Sequence, residues 1–166
     1  MTKIRREEQM GKIIHTSRIT ITRVEGPTRK AVVEGFKDPI FYGVHGGIKQ
    51  FYGVEPKEEH PATLDHIIGG VGGWMMGTLA QFLAKKDIPT TEDRYVAHVE
   101  GDIEDVNGVL KITRIKVTYS LKIPPAKRDD ARQAFEQYLP YCPGAQSVID
   151  AIHIEHDLKI EEDKGN

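Results

Sequence analysis

The chain has 166 residues and a mass of 18.7 kDa, with 23 Lys and Arg against 25 Asp and Glu, so its formal charge is −2. That length fits one domain, the near balance of charge excludes a protein devoted to neutralising phosphates, and an apolar content of 39% excludes disorder over most of the chain. A single cysteine excludes an intramolecular disulfide and a cysteine-built metal cage; nothing calls for an oxidising compartment, and a cytoplasmic location is the expectation.

Residues 1–12 are highly charged and hold no apolar run. They read as a loose arm rather than a secretory signal. Residues 13–24 are rich in Ile, Thr and Val and predict a strand; Gly26 and Pro27 predict a turn, and residues 29–36 the returning strand. Phe41-Tyr42-Gly43-Val44 recurs as Phe51-Tyr52-Gly53-Val54. Four residues repeated once do not make a solenoid. The repeat reads as two β-like segments flanking a turn at Gly46 and Gly47.

Residues 63–86 predict a long helix, with Thr63 as N-cap and Asp65 at the positive end of the dipole. Its middle, 67–84, carries no charged residue and has Gly69, Gly73 and Gly77 at small-xxx-small spacing, as a membrane span can. Gln81 and the half-buried strands around it favour the central helix of a soluble core, with no membrane partner. Gly69, Gly70, Gly72, Gly73 and Gly77 each cost roughly 1 kcal/mol relative to Ala inside a helix. Close approach of a partner helix offsets that cost, and in so short a chain the partner can come from a second copy.

Residues 93–104 alternate, with Tyr95, Ala97, Val99 and Ile103 on one face. Asn107 and Gly108 form a two-residue hairpin signal. Residues 109–123 return with Ile115, Val117, Tyr119, Leu121 and Ile123 on one face; Leu110 and Ile112 are out of phase, which places a bulge or face switch near Thr113. Residues 126–139 predict an amphipathic helix bounded by Pro124-Pro125 and Pro140. Cys142 and Pro143 open a short helix running to Ile149. A last strand covers 151–160, and 161–166 read as a loose tail.

The order strands, hairpin, long Gly-rich helix, long hairpin, amphipathic helix, Cys-Pro, strand resembles the OsmC/Ohr family, the osmotically inducible and organic hydroperoxide resistance proteins. The resemblance covers residues 63–160 and is carried by Thr63-Leu64-Asp65-His66-Ile67-Ile68-Gly69-Gly70-Val71-Gly72-Gly73-Trp74, the Asn107-Gly108 turn and Tyr141-Cys142-Pro143-Gly144. It implies an α+β fold in which curved antiparallel sheets wrap a long central helix, as an intertwined homodimer, in one domain spanning 1–166. Peroxidases of the family attack a hydroperoxide with a cysteine on the central helix and resolve it with the cysteine of the Cys-Pro motif. The resemblance places the attacking position at Trp74, which has no nucleophilic atom, and the resolving position at Cys142. It places a family carboxylate at Leu64 or Asp65 and a family arginine at Arg29 or Arg23.

Read without the family, Cys142 is either a thiol activated by a helix N-terminus or a small buried hydrophobe. Trp74, Met75 and Met76 read as core or as the lining of an apolar ligand pocket. His153 and Glu155 share a strand face with His156 opposite, an ordinary surface strand rather than a metal site. Lys85-Lys86 and Lys127-Arg128 read as solvated helix ends. No phosphate loop, dinucleotide glycine motif or nucleophile elbow occurs. The expectation is an OsmC-like protein that has lost two-cysteine peroxidase chemistry, acts without cofactor, metal or nucleic acid, and binds a small apolar organic ligand beside Trp74 and Met75 in a homodimer. Two alternatives stay open: a one-cysteine redox or hydroperoxide-detoxifying enzyme using Cys142 alone, and a structural or partner-binding protein without a ligand; the catalytic candidates are Cys142 and, from the resemblance, Arg29 and Asp65.

Overall fold

The computed structural model describes residues 11–163. Residues 1–10 and 164–166, most of the expected arm and half of the expected tail, lie outside the described residues. The chain divides into two compact units, Met1–Ala62 and Thr63–Asn166.

The first unit is a three-stranded antiparallel sheet in the order β1 (Ile19–Glu25), β2 (Thr28–Val33), β3 (Ile40–Tyr42), followed by a helix, α1 (Gly46–Tyr52). Gly26, at a φ of 52° that favours glycine, turns β1 into β2. The predicted strand 13–24 is shorter than expected at its start. The last ladder pair is Ile19 with Val33, after which Gly35 (φ 88°) turns the partner away, so residues 13–18 find no ladder. The two copies of the tetrapeptide diverge. The first enters β3, paired to β2, and the second closes α1, whose end is capped by Gly53 in the left-handed conformation. The same four residues thus take the structure that their neighbours offer. Among the described residues of this unit, Ala31, Val44 and Ala62 are the buried apolar ones, while Ile19, Ile21 and Val24 stand exposed.

The second unit carries the core. A long helix, α2 (Thr63–Ala84), packs against a hairpin, β4 (Tyr95–Val106) and β5 (Val109–Ile123). One turn of 3₁₀ helix at Pro125–Lys127 leads into α3 (Arg128–Tyr138), and another at Leu139–Tyr141 into α4 (Pro143–Val148). The chain then returns as β6 (His153–Glu162), two residues beyond the predicted strand end. The sheet order is β4-β5-β6, and β6 runs parallel to β5. The family expectation of antiparallel strands therefore holds for the hairpin, and the last strand departs from it because α3 and α4 form a crossover that brings the chain back in the same direction.

Asn107 (φ 56°) and Gly108 (φ 81°) form the hairpin turn. Asp102 pairs with Arg114 and Ile103 with Ile112, so Thr113 is the extra residue of a bulge, where the phase change predicted it. The bulge lets Ile112 and Ile115 both face the core. The helix α2 ends two residues before its predicted end, with Asp87 in a left-handed conformation and the Ile88 N–H donating to the Leu83 carbonyl. Ile68, Val71, Met75, Leu79 and Leu83 are buried along one side of α2, together with Ile115, Val117, Tyr119, Leu121 and Ile123 of β5. Although α2 is long and apolar enough to cross a membrane, this side is packed against sheet and helices.

Glycine interlocks α2 with β4. A Cβ on Gly72 would overlap the Val99 side chain, and one on Gly101 would overlap Ile68. The five helix glycines therefore divide. Gly72 admits the chain's own strand rather than a helix, while Gly69, Gly70, Gly73 and Gly77 have open space where a side chain would stand.

Candidate functional site

The central helix offers one large aromatic residue to the outside. Trp74 is 57% exposed, whereas its neighbour Met75 is 0% exposed and packs in the core. This corrects the expectation that Met75 lines a ligand pocket: a 100° step per residue carries it from the surface to the buried side of α2. The buried Thr78 donates from Oγ1 to the Trp74 carbonyl over 2.9 Å. Beside Trp74 stands Gly144, in α4. A Cβ on Gly144 would lie 2.8 Å from the Trp74 Cβ, so a glycine lets the two helices meet.

Two residues before Gly144, Cys142 is the N-cap of α4 by its extended backbone (φ −85°, ψ 110°), and its carbonyl accepts from the Gln146 N–H at 2.9 Å. The helix α2 at Trp74 thus meets α4 just after the Cys-Pro motif. The thiol itself is 0% exposed. It belongs to the core with Tyr119 and Tyr138, the bland reading of a lone cysteine.

A buried polar chain runs beside that thiol. The Tyr119 and Tyr138 hydroxyls are 3.0 Å apart, and Tyr138 lies 3.1 Å from Nδ1 of His156. Burial pushes the Tyr138 hydroxyl up to about 12, and it raises Tyr119 further and Tyr95 also. Burial lowers the His156 imidazole below its ordinary value, with the Asp157 carboxylate pulling weakly the other way. These are neutral groups that satisfy one another in a low-dielectric core. Alternation along β5 and β6 shows which residues face inward, but nothing in the sequence pairs Tyr138 with His156.

The remaining predicted residues are spread over both units. Arg29 is exposed on β2, and its ladder partner on β1 is Arg23, so the two arginines between which the sequence left the choice are opposite one another on one sheet. Arg23 donates from Nε to the Gly26 carbonyl at 3.1 Å. Asp65 lies in the first turn of α2, in the second unit. His153 reaches Glu155 at 3.3 Å, and Glu155 also meets Arg114, which holds Asp102 by two hydrogen bonds. Those bonds hold the Asp102 carboxyl below its usual range. No group of three His, Cys, Asp or Glu that could hold a metal stands together among the described residues.

One turn along α2 from Trp74, an open hollow of about 700 Å³ is lined by Thr78, Gln81, Phe82 and Lys85 of α2 and by residues of α3 and the turn after it. The rings of Phe82 and Tyr141 are 5.6 Å apart, and Lys85 Nζ is 4.7 Å from the centre of the Phe82 ring. The sequence reading missed these residues. Their i, i+3, i+4, i+7 spacing on α2 was a usable signal, hidden because Lys85 looked like a solvated helix end. No thiol is among these lining residues. The arrangement offers an aromatic surface, with Tyr141 and Phe82 lining the concavity and Trp74 one helical turn away on α2.

No protein-family model and no curated protein matches the chain. Solved structures do. An organic hydroperoxide resistance protein from Elizabethkingia anophelis is 15% identical, with a TM-score of 0.67 over 91% of this chain and 100% of that one. An OsmC-like protein from Mycoplasma pneumoniae is 13% identical, with a TM-score of 0.65 over 90% and 99%. The organic hydroperoxide resistance protein OhrB of Bacillus subtilis is 13% identical, with a TM-score of 0.60 over 89% and 100%. The chain has the α+β fold of these OsmC/Ohr proteins.

Proposed function

We propose that this chain is an OsmC/Ohr-fold protein without two-cysteine peroxidase chemistry, and that it binds a small organic ligand beside Trp74. Structures of this fold that carry the name of organic hydroperoxide resistance support a hydroperoxide-related ancestry. One observation carries the finer reading. The chain's single thiol, Cys142, is fully buried, while the residue that α2 presents beside the Cys-Pro helix is an exposed tryptophan. A hydroperoxide oxygen must approach a thiolate in line with the bond it breaks, and a thiol without accessible surface does not allow that approach. Burial likewise speaks against the one-cysteine alternative. An indole has no electron pair suited to that displacement, and it is well suited to stacking on an organic molecule.

The working form is a cytoplasmic homodimer. The outer side of α2, with Ile67, Gly70, Gly73, Trp74 and Gly77, carries no charge and has no side chains over four of its glycines, which supports docking of a second copy there. The exposed Ile19, Ile21 and Val24 of the first unit's sheet support the same reading. Native mass spectrometry of gently purified protein tests the ligand. A retained small organic molecule, lost from Trp74→Ala, is the expected result. Protein free of any ligand, with Trp74 emission unchanged across a panel of small organic molecules, overturns it.

A further inference from the structure

The hollow beyond Trp74 carries two charged side chains of opposite sign, Lys85 and Glu136. They do not pair with each other, and neither forms an ion pair with any described residue; the Lys85 ammonium instead faces the Phe82 ring at 4.7 Å. Across the same concavity the Phe82 and Tyr141 rings form a tilted pair, with Tyr141 70% exposed. Gln81 and Gln137 add amide groups, and Thr78 brings the wall to within one helical turn of Trp74.

Lys85 and Glu136 thus stand exposed on one concavity, each free to meet a ligand group of opposite charge. Here aromatic surface lies in the same concavity. A purely apolar ligand would strip water from both charges and replace it with nothing. A simple anion would meet Lys85 and be repelled by Glu136, and a simple cation the reverse. A molecule that carries a carboxylate, an ammonium and a ring matches all three features. We infer that the hollow takes a small aromatic zwitterion of the aromatic amino-acid class, its carboxylate at Lys85, its ammonium at Glu136 and its ring against Phe82 and Tyr141. The volume of about 700 Å³ is ample for one such molecule. The inference rests on the proposed ligand-binding role and gives that role a chemistry.

Four probes that share a ring separate the contributions: L-phenylalanine, phenylacetate, phenethylamine and benzyl alcohol, titrated calorimetrically with Trp74 emission followed in parallel. Phenylalanine is expected to bind about fivefold tighter than either singly charged analogue. Lys85→Met removes its advantage over phenethylamine, and Glu136→Gln removes its advantage over phenylacetate. Both residues are exposed, so both variants fold, which circular dichroism verifies. Equal affinity for all four probes, or binding of phenylalanine that ignores both substitutions, overturns the inference while leaving an organic-ligand role intact. If no probe binds, the inference falls, while the organic-ligand role itself stands or falls by native mass spectrometry of the purified protein.

Discussion

A methyl group on Gly144 would stand 2.8 Å from the Cβ of Trp74. Real Cβ atoms do not approach so closely, and the obstacle is the root of a side chain on a rigid helix, so relief requires α4 to move. Gly144→Ala is therefore expected to cost about 1–3 kcal/mol, the usual penalty of overpacking. Gly73→Ala meets nothing within the chain and gains helix propensity of roughly 1 kcal/mol. Thermal melts of the two variants check the contrast; equal melting temperatures would mean that α2 and α4 do not touch as described.

Burial of His156, beside Tyr138, makes stability depend on pH. Burial lowers the His156 pKa in the folded state below the ordinary 6.5. The unfolded chain then binds more protons than the folded one just below that value. Stability is accordingly full above about pH 6.5 and falls as the pH drops below it toward the folded value. Denaturant melts from pH 8 to pH 5 should show this loss, and His156→Gln should flatten it. A variant that keeps the full pH dependence would assign it to other groups.

Dimerisation through α2 has its own test. Sedimentation at micromolar concentration should give about twice 18.7 kDa. Gly73→Leu, which places bulk on the open side of the helix without touching the chain's own core, should shift the protein toward monomer at unchanged helicity. A wild-type monomer at that concentration contradicts the homodimer.

Much of the second unit was legible in the sequence. Period-two alternation placed β4 and β5, the phase slip at Ile112 located the bulge at Thr113, and the Asn107-Gly108 turn joined the strands. These features are local, and a local pattern suffices for them. What escaped depended on partners distant in sequence. The register that ends β1 at Ile19 is set by where β2 stops. The Phe-Tyr of the second copy became helical because α1 begins five residues earlier. At the site, the family resemblance of the central helix led to Trp74, while the burial of Met75 and Cys142 needed the packing of α2 on β5 and α3. Lys85 looked like a solvated end because the ring beneath it is defined only by the helix surface.

Trp74→Cys tests the correspondence between Trp74 and the attacking position. The indole is more than half exposed, so the substitution should cost about 1–2 kcal/mol and leave the fold in place. A disulfide requires Cα atoms within about 7 Å. Mild oxidation followed by non-reducing mass mapping should find the introduced thiol linked to Cys142 within one chain. Two free thiols in the folded variant would separate the positions and break the correspondence.

The central claim is that this fold here holds no accessible nucleophilic thiol. It is tested most directly by hydroperoxide consumption with a dithiol reductant, comparing the wild type with Cys142→Ser. The account predicts no saturable rate above the uncatalysed reaction in either protein. Saturable turnover by the wild type that disappears in Cys142→Ser would show that the buried thiol reaches its substrate, and would contradict it.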